Sequence, residues 1–495
     1  MLLRTRKAVA LIGTLALLGG VSVLMQPTAG ASGSPRNESG GRAVVHHGGG
    51  APINSSGANI PYAHLYRIGV NAAEPTLGTT KDGDIFVTAL QGNTKVDVVR
   101  STDQGQTWKI VSPKLPGGKN AQAISLDPYL YVDHRTNRVF TIDNTVACLY
   151  MSYSDDRGGS WTTNPAMCSH PDVNDHQTIA AGPPSISPTV GYPDVIYYCY
   201  NDVVTTSCAK SLDGGINWVS TGQPPFPGVD PNSTSYDYYG VPGVCDGLSG
   251  HVYVGHDGTV YMPRGWCGHP YVAISHDEGA TWKDVKVSNM GISGHEGVIA
   301  EDGAGNLYYM WIDNLTRLPF VSVSTDGGTK WGKPVEVAAP GVKETDLPTL
   351  EVGAPGHLAI AYVGSTNAPG APYKTDSSDA AKYTNVTWNA YLSESVDMLS
   401  KNPTFYTATV NNPRDPILRR TCGPDRCGPE YDFIDVDIAP DGTAWAAYVD
   451  GCIGACATTK GAGDNSSEGI VGHLAGGPSL WTKQVHDYAT VVKKN

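Results

Sequence analysis

Six acidic residues stand at matching points along the 495-residue chain: Glu74, Asp127, Asp175, Glu296, Asp346 and Asp432. Each opens a polar stretch that leads into an apolar, aromatic-rich run such as Val195-Ile196-Tyr197-Tyr198 or Asn306-Leu307-Tyr308-Tyr309. His176 and His295 stand beside two of them. Gathered at one point, such carboxylates and imidazoles can hold a cation, act as a general acid/base pair, or grip sugar hydroxyls. Left apart, each acid would only cap its own loop. The run Tyr236-Asp237-Tyr238-Tyr239, and Trp266 near His269, offer faces on which a sugar ring could stack, or simply loop packing. The chain carries no Ser nucleophile elbow, phosphate loop or HExxH helix.

The elements that must position these residues are repeated. Five segments share the pattern Ser-x-Asp-x-Gly-x-x-Trp, with Asp103, Asp156, Asp213, Asp277 and Asp326 at its centre. Successive Asp residues are 53, 57, 64 and 49 positions apart, the size of one supersecondary unit. Alternating runs such as Phe320-Val321-Ser322-Val323 precede the boxes, so each box caps a hairpin. Ser and Asp oxygens accept amides within a tight turn, Gly supplies a positive φ, and Trp buries its ring beside the next unit. Two further units, opening near Asp346 and Asp432, lack a good box, and one opens near Gly243–Asp246. Seven units are therefore expected.

Composition agrees with many short strands and turns. Gly (59) and Pro (35) break helices, while only 16 % of residues are charged and 40 % are hydrophobic, which excludes a disordered chain or a helical bundle. Arg4, Arg6 and Lys7, an apolar stretch from Ala8 to Leu24, and Ala29-Gly30-Ala31 read as an export signal over residues 1–31. Losing that leader, with three basic and no acidic residues, takes the formal charge from −13 to −16. So acidic a protein suits neither nucleic acid nor an anionic membrane surface. Residues 32–60, Gly/Ser-rich and including His46-His47, read as a flexible linker before one domain over 61–490. The ten cysteines of an exported chain should pair. They fall into close couples: Cys148/Cys168, Cys199/Cys208, Cys245/Cys267, Cys422/Cys427 and Cys452/Cys456. A four-thiolate zinc site from the last two couples is the alternative.

The five boxes resemble the Asp-box repeat of the sialidase-like β-propellers. The resemblance covers roughly residues 66–482 and implies an all-β ring of four-stranded antiparallel blades, with the acids that open the units converging at the central channel. Sialidases have six blades, so a seventh is a departure. The family clasps its substrate's carboxylate with three Arg and uses a Tyr nucleophile assisted by Glu, with an Asp acid/base. Its first Arg lies in a Phe/Tyr-Arg-Ile-Pro motif, similar to Tyr66-Arg67-Ile68-Gly69 here, with Gly where Pro is expected. No Glu lies between Glu74 and Glu278, so the resemblance assigns Glu296 as the Glu and Arg317 as the second Arg. Arg420 (or Arg414 or Arg419) becomes the third, Arg264 an alternative, Tyr431 the nucleophile, and Asp82 or Asp84 the acid/base.

The expectation is thus a secreted glycoside hydrolase of exo-sialidase type, which requires no cofactor. Its partner would be an extracellular glycan or glycoprotein; nucleic acid and stable membrane insertion are not expected, and a monomer is. The alternatives are a non-catalytic propeller that binds a glycan or protein, with calcium at its acidic channel mouth, or a polysaccharide lyase on the same scaffold.

Overall fold

Alternating apolar runs closed by polar turns give the chain seven sheets, in which most strands pair with their sequence neighbours. The computed structural model describes residues 38–53, 60–91, 95–114, 127–144, 148–168, 175–202, 205–226, 245, 247–293, 296–370, 386–419, 432–453, 456 and 467–481, which belong to one compact unit. The sheets are the blades of a seven-bladed β-propeller. Their inner strands are Leu77–Thr79, Tyr129–Val132, Asp175–Gly182, Tyr253–Val254, Val298–Glu301, Glu344–Val352 and Asp435–Ile438. The second strands are the apolar runs of the sequence. Leu307–Ile312, Leu358–Ser365 and Ala444–Asp450 are buried at every residue, because both faces of these strands are covered by neighbouring blades.

The five boxes form the same turn between third and outer strands. In each, the Ser hydroxyl donates to the Asp at 2.8–2.9 Å and accepts the Gly amide at 2.8–2.9 Å. The Gly has a φ of 77–95°, which a side chain rarely adopts. Blade 6 keeps the Ser395–Asp397 pair at 3.1 Å without the Gly. The residue before each Gly reaches the preceding blade in two cases. Arg157 forks onto Asp84 of blade 1, and Glu278 accepts the amides of Ser185, Ile186 and Ser187 of blade 3.

Closure of the ring brings both ends of the chain together. Blade 7 takes three strands from the C-terminal part and its fourth, Tyr62–Arg67, from the N-terminal part, which pairs with Glu468–Ala475. The stretch read as linker departs from expectation. Glu38–Arg42 adds a fifth strand to blade 7, and Val44–His47 adds one to blade 6. His46 is fully buried and shares a 2.8 Å hydrogen bond with Thr407. Gly/Ser-rich sequence hides these strands because they are edge strands held by backbone pairing, and Gly40 is required where a Cβ would meet the Val410 carbonyl at 2.3 Å.

Three cysteine couples are bonded as spaced: Cys199–Cys208, Cys245–Cys267 and Cys452–Cys456. The last takes two of the four thiolates that a zinc site would need. Cys148 and Cys168 are register partners on adjacent strands. Cys422 and Cys427, and the leader over 1–31, lie outside the described residues. Among the described residues no helix is long and apolar enough to cross a membrane.

Truncation before Ile68 should abolish cooperative folding, because it leaves blade 7 without its fourth strand; a thermal melt that kept its cooperative transition would contradict this. Ser275→Ala, which orphans the buried Gly279 amide, should cost about 1–3 kcal/mol in denaturant titration.

Candidate functional site

Inner strands all start at one end of the channel, and the acids that precede them meet there. His176 is central. Its amide donates to Asp127 Oδ2 at 2.8 Å. Its Nδ1 lies 3.7 Å from Glu296 Oε1 and its Nε2 3.3 Å from Asp432 Oδ2. Glu74, Asp127 and Asp432 each offer an oxygen, and these atoms lie within 4.8 Å of one another. All five side chains are buried. The backbone is bent to place them. His176 sits at φ 50° in a bulge between Asp175 and Thr178, and Glu74 has a φ of 48°. Both are left-handed conformations that non-Gly residues adopt at a cost, which clusters at functional sites.

The electrostatics follow from burial. Burial opposes the charge on His176, but Glu296, Asp432 and Asp127 outweigh it and raise its pKa to about 10. Burial pushes Asp127 up to about 6, with Asp175 adding to it, while the His176 charge and a hydrogen bond with Glu74 pull the other way. The site thus holds one imidazolium among several carboxylates, a set able to take a hard cation or to exchange a proton near neutrality.

Asp346 lies in a neighbouring group with Glu344 and Arg317. Arg317 Nε is 3.9 Å from Glu344 Oε1. Burial raises Glu344 to about 7, with Arg317 opposing and Asp346 reinforcing that rise.

Arg67, Arg317 and Arg264, expected to contribute to an arginine clasp, are each engaged by other groups. Arg67 is on the fourth strand of blade 7, where it is held by Glu38, Asp450 and Glu468 at 3.0–3.1 Å. Arg317 is engaged with Glu344 in blade 5's loop. Arg264 is on the second strand of blade 4, where its Nη1 donates to Thr206 Oγ1 at 3.0 Å and its guanidinium lies 5.7 Å from the Phe226 ring centroid. Arg414 is exposed, and Arg419 pairs through its strand with Thr387. Asp82 and Asp84 follow the inner strand of blade 1, at the opposite end from the acids. Asp82 is exposed, and Asp84 is spent on Arg157. Tyr431, Arg420, His295 and the Tyr236–Tyr239 run lie outside the described residues.

His251 and Phe433 were not singled out in the sequence, yet they belong to the mouth. Their rings meet at 5.5 Å, and Phe433 meets His176 at 6.1 Å. Burial and the His176 charge lower the His251 pKa to about 3, so it stays neutral. Aligning the fourth unit on its inner strand, Tyr253–Val254, would have put His251 level with the other mouth residues; placing that unit's start near Gly243–Asp246 hid it.

No protein-family model and no curated protein matches the sequence. Among solved structures, a protein of unknown function from Dyadobacter fermentans is 13 % identical, with 82 % of this chain and 94 % of that one covered and a TM-score of 0.40. The Hadza microbial sialidase Hz136 is 16 % identical over 68 % of this chain and 65 % of its own, with a TM-score of 0.38. The α-L-arabinofuranosidase of Fusarium graminearum, solved with arabinobiose, is 13 % identical over 59 % and 88 %, at 0.39. At this level of similarity no chemistry carries across.

Arg67→Ala strands three carboxylates and should lower stability by about 2 kcal/mol, read from the denaturation midpoint. A substrate clasp would instead weaken binding and leave the midpoint where it is.

Proposed function

We propose that this protein is an extracellular, glycan-directed β-propeller acting through its acidic channel mouth, where Glu74, Asp127 and Asp432 hold a calcium ion. The donor spacing carries the reading: oxygens of Glu74, Asp127 and Asp432 lie within 4.8 Å of one another. Glu74, Asp127, Glu296 and Asp432 are buried together, with His176 as the cation among them. Burying several carboxylates together is costly, and a cation held by three of them would offset part of that cost. An all-oxygen donor set fits a hard cation such as calcium. Bound there, the ion would supply neutralising charge and coordination positions for sugar hydroxyls. His176 would orient Glu296 and Asp432, and its amide would fix Asp127. The leader and the paired cysteines support an extracellular setting.

A second reading, a glycoside hydrolase, is favoured by one observation: burial holds Asp127 up to about 6, where a carboxyl can act as a general acid. Exo-sialidase chemistry, with Tyr431 and Glu296 as the nucleophile pair, is its most specific form. The carboxylate partners of Arg67 and Arg317 speak against a shared arginine clasp.

Calcium titration by thermal unfolding, beside hydrolysis assays on a fluorogenic sialoside and on neutral glycosides, separates the two. The expected result is a saturable stabilisation, about 2.7 kcal/mol at a hundredfold excess over Kd, that Asp432→Asn removes, with no turnover. Calcium-independent turnover lost in Asp127→Asn would establish the hydrolase instead. Neither response would sink both readings.

A further inference from the structure

Below the mouth, a cavity of about 610 Å³ runs along the channel and is lined by the inner strands of all seven blades. It reaches solvent at the end where the inner strands finish. His134, Arg135 and His256, which line that end, have side chains 47 %, 53 % and 65 % exposed, and Trp481 is 40 % exposed. Toward the mouth, Tyr129 meets His251 edge to face at 4.9 Å, and His251 leads on to Phe433.

Five carboxylates line this tunnel: Asp133, Glu301, Glu351, Asp435 and Asp437. Asp133 accepts from the Tyr192 and Thr136 hydroxyls, and Glu301 is paired with His256 at 2.8 Å. Asp437 is satisfied, since its Oδ2 accepts from the Thr79 amide at 2.6 Å and the Thr79 hydroxyl at 2.8 Å and lies 3.3 Å from His134 Nε2. Asp435 accepts only backbone amides, of Leu77 and Val436, at 2.8 and 2.9 Å. Glu351 accepts its neighbour's amide, Val352, at 2.9 Å. Among the described residues neither Asp435 nor Glu351 has a Lys, Arg or His within ion-pair distance. Burial raises both carboxyls, Glu351 to about 7.

A second, independent feature points the same way. Tyr129 is 95 % buried at the cavity wall, and its hydroxyl makes no hydrogen bond among the described residues. Tyr131 and Tyr253, by contrast, spend theirs on the Ala181 and Glu301 carbonyls at 3.3 and 3.2 Å. Among the described residues the tunnel therefore presents one hydroxyl without a hydrogen bond and two carboxyls, Glu351 and Asp435, without an ion-pair partner. Between them lie aromatic faces and aliphatic walls such as Leu130, Ile179 and Val252.

We propose that the tunnel binds a slender organic cation, an alkylammonium that enters past His134, His256 and Trp481 and sets its charged head among Glu351, Asp435 and Tyr129. Ammonium groups donate to carboxylates and phenol oxygens and are attracted to aromatic faces, and a methylene chain suits the apolar wall. A metal ion suits this place less well. Among the described residues, only Glu74, Asp127 and Asp432 bring three donor atoms to metal-ligand spacing, and the tunnel is far larger than one ion.

Calorimetric titration of the full chain with 1,5-diaminopentane, with calcium chloride and pentane-1,5-diol as parallel titrants, tests this. The amine should bind saturably and the diol not. Glu351→Gln and Tyr129→Phe should each weaken amine binding by about tenfold or more. Glu351→Gln removes a carboxyl whose charge burial disfavours and should leave the unfolding temperature unchanged or raised, and Tyr129→Phe serves if that variant fails to fold. Asp432→Asn, at the mouth, should keep amine binding intact, which separates this site from the proposed calcium site. The proposal is overturned by the absence of saturable amine binding, by binding that both tunnel variants retain, by binding that Asp432→Asn abolishes, or by calcium binding that Glu351→Gln removes.

Discussion

One antiparallel pairing, Tyr62–Arg67 against Glu468–Ala475, decides whether this molecule has a site at all. Glu74 and Asp432 belong to the first and last blades, and only the closed ring makes them neighbours. The same seam carries the amides of Leu77 and Thr79 onto Asp435 and Asp437. Arg67, ion-paired to Glu38, Asp450 and Glu468, pins the end of the closing strand to both of its neighbours. Its charge is used to close the ring.

The two ends of the ring manage charge in opposite ways. At the end with the boxes, acids meet partners within reach: Asp84 takes Arg157, Arg138 takes Asp155, and Glu278 takes Lys210 as well as three amides. Burial costs little there because each charge is hydrogen-bonded. Along the axis, a ring of like units delivers the same kind of residue from blade after blade, so among the described residues acids there outnumber the bases His176, Arg317 and His134 that pair with them. Burial, reinforced by neighbouring acids, raises the carboxyls of Asp127, Glu351 and Asp435.

Features that recur at the repeat period were legible in the sequence. Seven blades, the box turns, the apolar second strands and the meeting of Glu74, Asp127, His176, Glu296 and Asp432 all follow from residues at one position in successive units. Residues whose meaning lies in a single long-range contact were not legible. Arg67 matches a motif, but its partners are 29 to 401 positions away, and one stands in a segment too Gly-rich to read as strand. Asp84 looks like a free acid until Arg157, from the next blade, is placed over it. His251 fell out of register because the fourth unit has the shortest inner strand, two residues, and no aromatic run to anchor its start.

The closing pairing also has a cost in time. Tyr66 and Val471 are register partners separated by some four hundred residues of chain. Contacts of such high order are made late and slowly, because a large loop must be closed before the pairing repays it. The three N-terminal strands can seat fully only once blades 6 and 7 exist, so strands made before any complete blade are among the last to fold. Until then blade 7 has an open edge that another chain could occupy. The protein's chief hazard during maturation is therefore exchange of this N-terminal strap between two copies, a swap that would leave every blade with its full set of strands.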